Sequence, residues 1–139
     1  MFNTILIAIH PTNEAEGTRA LEEGLRLLAQ DGNLHLTTVV NPGGAGFFPH
    51  VVEQEPQAKE QEALENLNLL ARRYLPLDTE VSLHVLSGAP GKQLIALAAQ
   101  LEADLLVLTS RGESSRWPLR RATIEHAAVC APCSVLVLQ

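Results

Sequence analysis

Aliphatic segments and helical patterns alternate along the whole chain. Short runs rich in Ile, Val and Leu, typical of buried strands, are separated by stretches with apolar residues at helical spacing. No Asn-Gly type of hairpin joins two of these runs. Such alternation predicts a parallel sheet whose strands are connected by helices. The predicted strands cover residues 4–10, 33–40, 80–87, 104–110 and 134–139.

Four helices are predicted between these strands. The first carries Leu21, Leu25 and Leu28 on one face, and we expect Gly17 and Gly24 to mark close packing. The second covers residues 56–74, and the residues predicted for its core stripe are Leu64, Leu67, Ala71 and Tyr74. The third begins near Pro90, with Leu94, Ala98 and Leu101 on its inner face. The fourth covers residues 118–129.

The composition of the strands predicts their order in the sheet. Residues 104–110 are aliphatic on both faces, which is typical of a central strand, whereas residues 80–87 alternate as an edge strand does. The order 3-2-1-4-5 satisfies both. With right-handed crossovers, this is a doubly wound α/β fold: a five-stranded parallel sheet with helices on both faces. We expect residues 1–139 to form a single domain.

The last predicted strand would lie at the other edge of this sheet. Its sequence, VLVL, carries neither charge nor proline, and an aliphatic edge of this kind tends to pair with a second copy. The sequence therefore predicts a homodimer whose interface contains Val135, Leu136, Val137 and Leu138. A helix that covers this edge is the alternative.

Composition and charge narrow the class of protein. Hydrophobic residues make up 46% of the chain but aromatic residues only 4%, so the core is expected to be aliphatic. A formal net charge of −6 argues against nucleic acid as the main partner. No apolar run approaches the roughly 18 residues of a membrane span, and the first residues lack a basic leader. A cytoplasmic protein with no membrane partner is expected.

The two cysteines, Cys130 and Cys133, form a C-x-x-C motif. They follow a predicted helix, whereas a reactive thiol of a redox enzyme begins one, where the helix dipole stabilises the thiolate. His126 could join them in a metal site, but the sequence offers no evident fourth ligand. We therefore expect structural cysteines and no metal site.

The predicted strand order also locates a candidate binding site. In open parallel sheets, ligands bind beyond the carboxyl ends of the strands where the order reverses, here between the first and fourth strands. His10 and Thr109 end these strands. The following segment, TSRGESSRWPLRRAT, has a glycine at 112 that would let backbone N–H groups approach an anion, next to the amino end of a helix.

Several side chains of this segment could assist anion binding. Ser114, Ser115 and Thr123 supply hydroxyl groups, and Arg111 and Arg116 are the arginines favoured to face the cleft. The alternative is that the arginines only solvate an acidic protein. A second irregular stretch, residues 41–55, contains Phe47 and Phe48. These rings either contact a ligand or a second subunit, or fold back onto the domain.

Four stretches resemble the universal stress protein family: ILIAIHPT, GAPGKQLI, DLLVLTSRG and APCSVLVL, which together span nearly the whole chain. The resemblance implies a pattern for ATP, G-x2-G-x9-G-[ST], on which Thr109 and Ala122 replace two glycines. His10 replaces an aspartate that lies toward the ribose or adenine. The candidate nucleotide-binding residues are His10, Val40, Thr109, Arg111, Gly112, Ser114, Ser115, Arg116, Thr123 and Ile124.

Two functions remain open at this point. One is a small dimeric regulatory or interaction protein, with a degenerate nucleotide site and a protein partner. The alternative is a stress protein that holds ATP or AMP, with Mg²⁺, on the loop 109–123. An efficient hydrolase is not expected, because His10 is the only titratable candidate at the strand ends and no acidic partner is visible.

Overall fold

The computed structural model describes residues 1–9, 14–40, 56–109 and 121–139. Within these ranges, strands and helices alternate from the first element to the last. The strands are β1 (Phe2–Ala8), β2 (Leu28–Val40), β3 (Val81–Ser87), β4 (Leu105–Thr109) and β5 (Ser134–Leu138). The helices are α1 (Glu14–Leu27), α2 (Pro56–Tyr74), α3 (Pro90–Gln100) and α4 (Arg121–Cys130).

The five strands form one parallel sheet in the order β3-β2-β1-β4-β5. This confirms the predicted fold class and strand order. β4 is buried along its whole length, as its aliphatic composition predicts. In the outer strand β3, Ser82 and Ser87 are exposed and the other residues are partly buried. Ile5 pairs with Leu105 and Ile7 with Val107, so the order reverses between β1 and β4.

Helices cover both faces of the sheet. β1 directs alternate side chains to the two faces, and each face forms an apolar layer with the helices that cover it. Ile5, Ile7 and Ile9 pack in the layer that contains residues of α1 and α2. Leu6 and Ala8 pack in the opposite layer, with residues of α3 and α4. Each layer removes a set of aliphatic side chains from water, which is the main favourable contribution to folding.

Gly17 and Gly24 lie where α1 packs closely against its neighbours, as predicted. A Cβ atom on Gly24 would lie 2.5 Å from Cδ1 of Ile7 in β1. One on Gly17 would lie 2.9 Å from Cδ2 of Leu70 in α2. The absence of a side chain at these two positions brings α1 close to the sheet and to α2.

The predicted core stripe of α2 is wrong at two of its positions. Leu64 and Tyr74 are 42% and 38% exposed, whereas Leu67 and Ala71 are buried as predicted. Ala63 is buried instead of Leu64. The buried residues of α2 are therefore spaced four apart, beginning with a small alanine. This alanine allows α2 to approach the sheet more closely than a leucine would.

The amino end of β2 also differs from the prediction. Leu28, predicted on the first helix, begins β2 and pairs with Phe2. The register then shifts, so that Thr4 pairs with Asn33, and Asp31 adopts a φ of 66° within the irregular part. Asp-Gly at 31 and 32 is typical of a turn, which is why the sequence predicts a strand that begins only after it.

Asp104 fixes the start of β1 against the start of β4. Its Oδ2 atom accepts hydrogen bonds from the backbone N–H groups of Asn3, at 2.9 Å, and Thr4, at 3.0 Å. Its own N–H donates to the carbonyl of Thr4, at 2.8 Å. These contacts hold the two central strands in register at the end opposite the predicted cleft.

Candidate functional site

The carboxyl ends of β1, β2 and β4 lie side by side at one end of the sheet. The N–H group of Ile9 donates to the carbonyl of Thr37 at 2.8 Å, so the chain is still paired with β2 just beyond β1. Val40 ends β2 and is partly buried, whereas Thr109 ends β4 and is only 4% exposed. The candidate residues Val40 and Thr109 therefore lie at the same end of the sheet, on the two strands that flank β1.

Many of the predicted site residues lie outside the described residues. These are His10, Arg111, Gly112, Ser114, Ser115 and Arg116, and the rings of Phe47 and Phe48 lie outside them as well. The role of these side chains stays a prediction.

Thr123 and Ile124 lie near the start of the described part of α4. Ile124 is buried in the apolar layer shared with α3, so its side chain faces the core and only its backbone could contact a ligand. Thr123 is partly buried beside α3, where its Cγ2 atom would lie 3.5 Å from a Cβ atom on Gly91. Packing against α3 therefore positions this end of α4.

Buried polar groups lie at the same end of the sheet, and the sequence prediction named Thr109 among them but missed Thr38. The hydroxyl groups of Thr38 and Thr109 are buried and have no hydrogen-bond partner among the described residues. By the alternation along their strands, both face the layer of α1 and α2. The first turns of α1 contribute Glu16, which is buried as well. Strand alternation alone could have identified Thr38.

A pair of histidines lies at the outer side of the sheet, on β2 and β3. Nδ1 of His35 and Nε2 of His84 are 3.0 Å apart, and the rings are tilted by 31°. Burial lowers the pKa of both imidazoles, and the neighbouring charge of His84 lowers the pKa of His35 further. A lowered pKa favours the neutral form of both rings.

The C-x-x-C motif spans the end of α4 and the residues before β5. Cys130 is exposed, and its Sγ atom lies 3.7 Å from Nδ1 of His126. Cys133 is partly buried, and burial, together with the negative charge of Asp104, raises the pKa of its thiol. In the part of the chain that the structure describes, no three His, Cys, Asp or Glu side chains are grouped to bind a metal.

An open pocket of about 540 Å³ lies at the opposite end of the strands from the predicted cleft. It is lined at the amino ends of β2 and β3 by residues that include Leu28, Asp31, Asp78 and Glu80. Its walls carry carboxylates, so this pocket is a poor match for an anionic ligand.

β5 is the outermost strand on the side of the sheet away from the histidine pair. Val135, Leu136 and Val137 are partly exposed, and Leu138 is buried. The inner edge of β5 pairs with β4 from Ser134 to Leu138. The predicted aliphatic edge is therefore present, while its pairing with a second copy stays a prediction.

The whole chain, residues 1–139, matches the model of the universal stress protein family. The chain belongs to this family. No curated protein matches it in sequence. In the described part of this universal stress protein, no helix is long and apolar enough to cross a membrane.

Solved universal stress proteins share the fold. The protein UspA from Lactobacillus plantarum is 21% identical, with a TM-score of 0.70 over 99% of this chain and 97% of its own. A universal stress protein in complex with cAMP is 20% identical, with a TM-score of 0.67 over 99% and 97% of the two chains. A family protein from Arabidopsis thaliana with AMP bound is 15% identical, with a TM-score of 0.63 over 98% and 90%.

Proposed function

We propose that this universal stress protein is a small homodimeric regulatory protein of the cytoplasm that acts through a protein partner. The observation that carries the proposal is β5, an outer strand whose aliphatic side chains are partly exposed. A strand edge of this kind offers unpaired backbone groups to a second β5, and twofold pairing would satisfy them in both copies.

The proposal includes a nucleotide site that has lost the phosphate-binding pattern of the family. Thr109 stands at a glycine position of that pattern, and its branched side chain fills buried space at the end of β4. Ala122 adds a methyl group at a second glycine position. Since close approach of backbone N–H groups to a phosphate depends on such glycines, these residues do not fit ATP bound in the manner of the family.

The dimer is tested by sedimentation velocity of the parent and Val137→Lys. A lysine at the centre of the paired edge would be buried without a counter-charge, so we expect dimer dissociation to become more favourable by at least about a hundredfold. Val85→Lys, on the outer strand β3, is the matched control and should leave the dimer intact. Far-UV circular dichroism establishes that each variant is folded.

A second pair of variants keeps the test decisive if lysine at 137 prevents folding. Ser134 and Ser82 are both exposed, on β5 and β3 respectively. Ser134→Glu should weaken the dimer, because the twofold pairing repeats each added charge across one interface, whereas Ser82→Glu should not. A monomeric parent, or a Ser134→Glu protein as dimeric as Ser82→Glu, would refute the assembly.

A second candidate function is binding of ATP or AMP, with Mg²⁺, on the loop 109–123. The relatives solved with cAMP and with AMP favour it, since they share the fold. Calorimetry with ATP, AMP and cyclic AMP, with and without Mg²⁺, separates the two candidates. A degenerate site predicts no heat up to millimolar nucleotide, whereas this candidate predicts binding that Gly112→Val abolishes.

Restoring the glycines provides a sharper comparison. If Thr109 and Ala122 are what prevents nucleotide binding, the double variant Thr109→Gly/Ala122→Gly should gain affinity for ATP by more than about tenfold over the parent. No gain in a folded double variant would contradict the explanation through lost glycines. Catalysis is not part of either candidate, and no catalytic residue is assigned.

A further inference from the structure

The histidine pair lies apart from the candidate nucleotide site at the carboxyl ends of β1 and β4. His35 is near the middle of β2 and His84 near the middle of β3, and the two strands form the side of the sheet opposite β5. Both rings face the side covered by α3 and α4, and both remain partly exposed. The pair is therefore reachable from solvent.

The separation of the two nitrogen atoms suits a single metal ion. A transition metal binds imidazole nitrogen at about 2.0–2.1 Å, so two such nitrogens on one ion lie about 2.9–3.4 Å apart for bond angles between about 90° and 110°. Nδ1 of His35 and Nε2 of His84 are already 3.0 Å apart. Both rings must rotate to bind an ion, because in the hydrogen-bonded pair each facing nitrogen points at the other ring rather than at a shared ion.

The backbone holds the two rings in this arrangement. His35 pairs with Ser82, and Thr37 pairs with His84, so the register of β2 and β3 places the two histidines diagonally across the ladder. Ligands held by neighbouring strands lose little conformational entropy on binding, which favours chelation over capture by a single flexible histidine.

We propose that His35 and His84 form an open two-imidazole site for a divalent late first-row transition metal, such as Zn²⁺ or Cu²⁺. Neutral imidazole is a preferred ligand of these ions, and the Irving–Williams order makes Cu²⁺ the tighter of the two. Because the described residues bring no third His, Cys, Asp or Glu to the pair, water completes the coordination shell.

Metal binding displaces the proton between the two rings without changing the charge of either ring. In the metal-free pair, one ring donates its N–H to the lone pair of the other. When metal binds, the donor ring releases that proton from the facing nitrogen and takes one up on its other nitrogen. Two nitrogen–metal bonds then replace two water–metal bonds, and the N–H···N hydrogen bond is lost.

Thr37 supplies a second observation at this place. It pairs directly with His84 and shares its strand face with His35, and its hydroxyl is buried with no hydrogen-bond partner among the described residues. A buried hydroxyl without a hydrogen-bond partner is unfavourable. A water molecule held on the metal would give this hydroxyl the partner it lacks.

Metal binding is tested in a Cys130→Ser/Cys133→Ser background, which prevents thiols from binding the ion. Titration with ZnCl₂ in a calorimeter should give one site per chain, and His84→Gln or His35→Ala should weaken it by more than about tenfold, since only one imidazole remains. His126→Ala, which removes a histidine of α4 outside the pair, is the control and should leave the affinity unchanged.

A measurement on the protein with both histidines intact guards against misfolded variants. Long-range ¹H–¹⁵N spectra of the imidazole rings should show Zn²⁺-dependent shifts at Nδ1 of His35 and Nε2 of His84, and NiCl₂ should broaden the same signals. Unchanged nitrogen shifts at 1 mM Zn²⁺, or equal affinity in His84→Gln and the parent, would show that the pair is only a cross-strand hydrogen bond.

Discussion

The two cysteines have different surroundings although only two residues separate them. Cys130 is an exposed residue at the end of α4, whereas Cys133 is partly buried next to the apolar layer of α3 and α4. Burial and the carboxylate of Asp104 both disfavour the negatively charged thiolate of Cys133. The two thiols should therefore differ in chemical reactivity.

We expect iodoacetamide to modify Cys133 several-fold more slowly than Cys130 at pH 8. The raised pKa leaves a smaller thiolate fraction at this pH, and the thiolate is the attacking species. The rates are measured by mass spectrometry in the single-cysteine variants Cys130→Ser and Cys133→Ser. Urea should abolish the difference, because unfolding exposes both thiols. Equal rates in the folded proteins would contradict the prediction.

At the scale of elements, the irregular start of β2 is held by very close contacts. A Cβ atom on Gly32 would lie 2.9 Å from two backbone oxygens, those of Asn3 and Ala29. By contrast, a Cβ atom on Gly91 in α3 would lie 3.5 Å from its nearest neighbours, which are side-chain atoms of Thr123 and His126. The first distance requires a backbone shift, and the second is ordinary contact.

Gly32→Ala should therefore lower the free energy of unfolding by about 1–3 kcal/mol, the usual cost of overpacking. Gly91→Ala is the matched control. It should leave stability unchanged or raise it by up to about 1 kcal/mol, since alanine favours the helix. Urea unfolding followed by circular dichroism measures both. A Gly32→Ala protein as stable as Gly91→Ala would mean that the β2 bulge adjusts freely.

The elements and their order could be predicted from periodicity, but local packing could not. Residues 104–110 are aliphatic on both faces, which places their strand at the centre, and this part of the prediction is confirmed. The α2 stripe was wrong at Leu64 because both Ala63 and Leu64 fit a helical period. The choice depends on how near the helix approaches the sheet, which the pattern alone does not encode.

The candidate site was predictable to a different extent. Strand order alone locates the reversal between β1 and β4, and with it the edge that holds Val40 and Thr109. The histidine pair was missed because the sequence pattern of each strand does not give the register between β2 and β3. Once this register is known, His35 and His84 follow from strand alternation.

At the scale of the whole molecule, two apolar layers share a single sheet. Ile5 and Leu6 are consecutive residues of β1, yet they pack in opposite layers. Loss of β1 would therefore expose apolar side chains of both layers. This arrangement supports residues 1–139 as one folding unit, which stays a prediction.

We expect one cooperative transition on urea unfolding. In a Cys130→Ser background, exposure of Cys133 reports on the layer of α3 and α4, while far-UV circular dichroism reports on all helices and strands. The two probes should give the same midpoint and slope if the layers unfold together. Earlier labelling of Cys133 would indicate that one layer opens separately.

The positions of β3 and β5 at opposite sides of the sheet have a geometric consequence. Twofold pairing of β5 would join two copies into ten continuous strands, with an imidazole pair near each far rim. At about 4.8 Å between neighbouring strands, the two bound ions would be separated by about 40 Å. Such an assembly would carry one metal site at each end, and pulsed electron spin resonance would measure the distance between two bound Cu²⁺ ions.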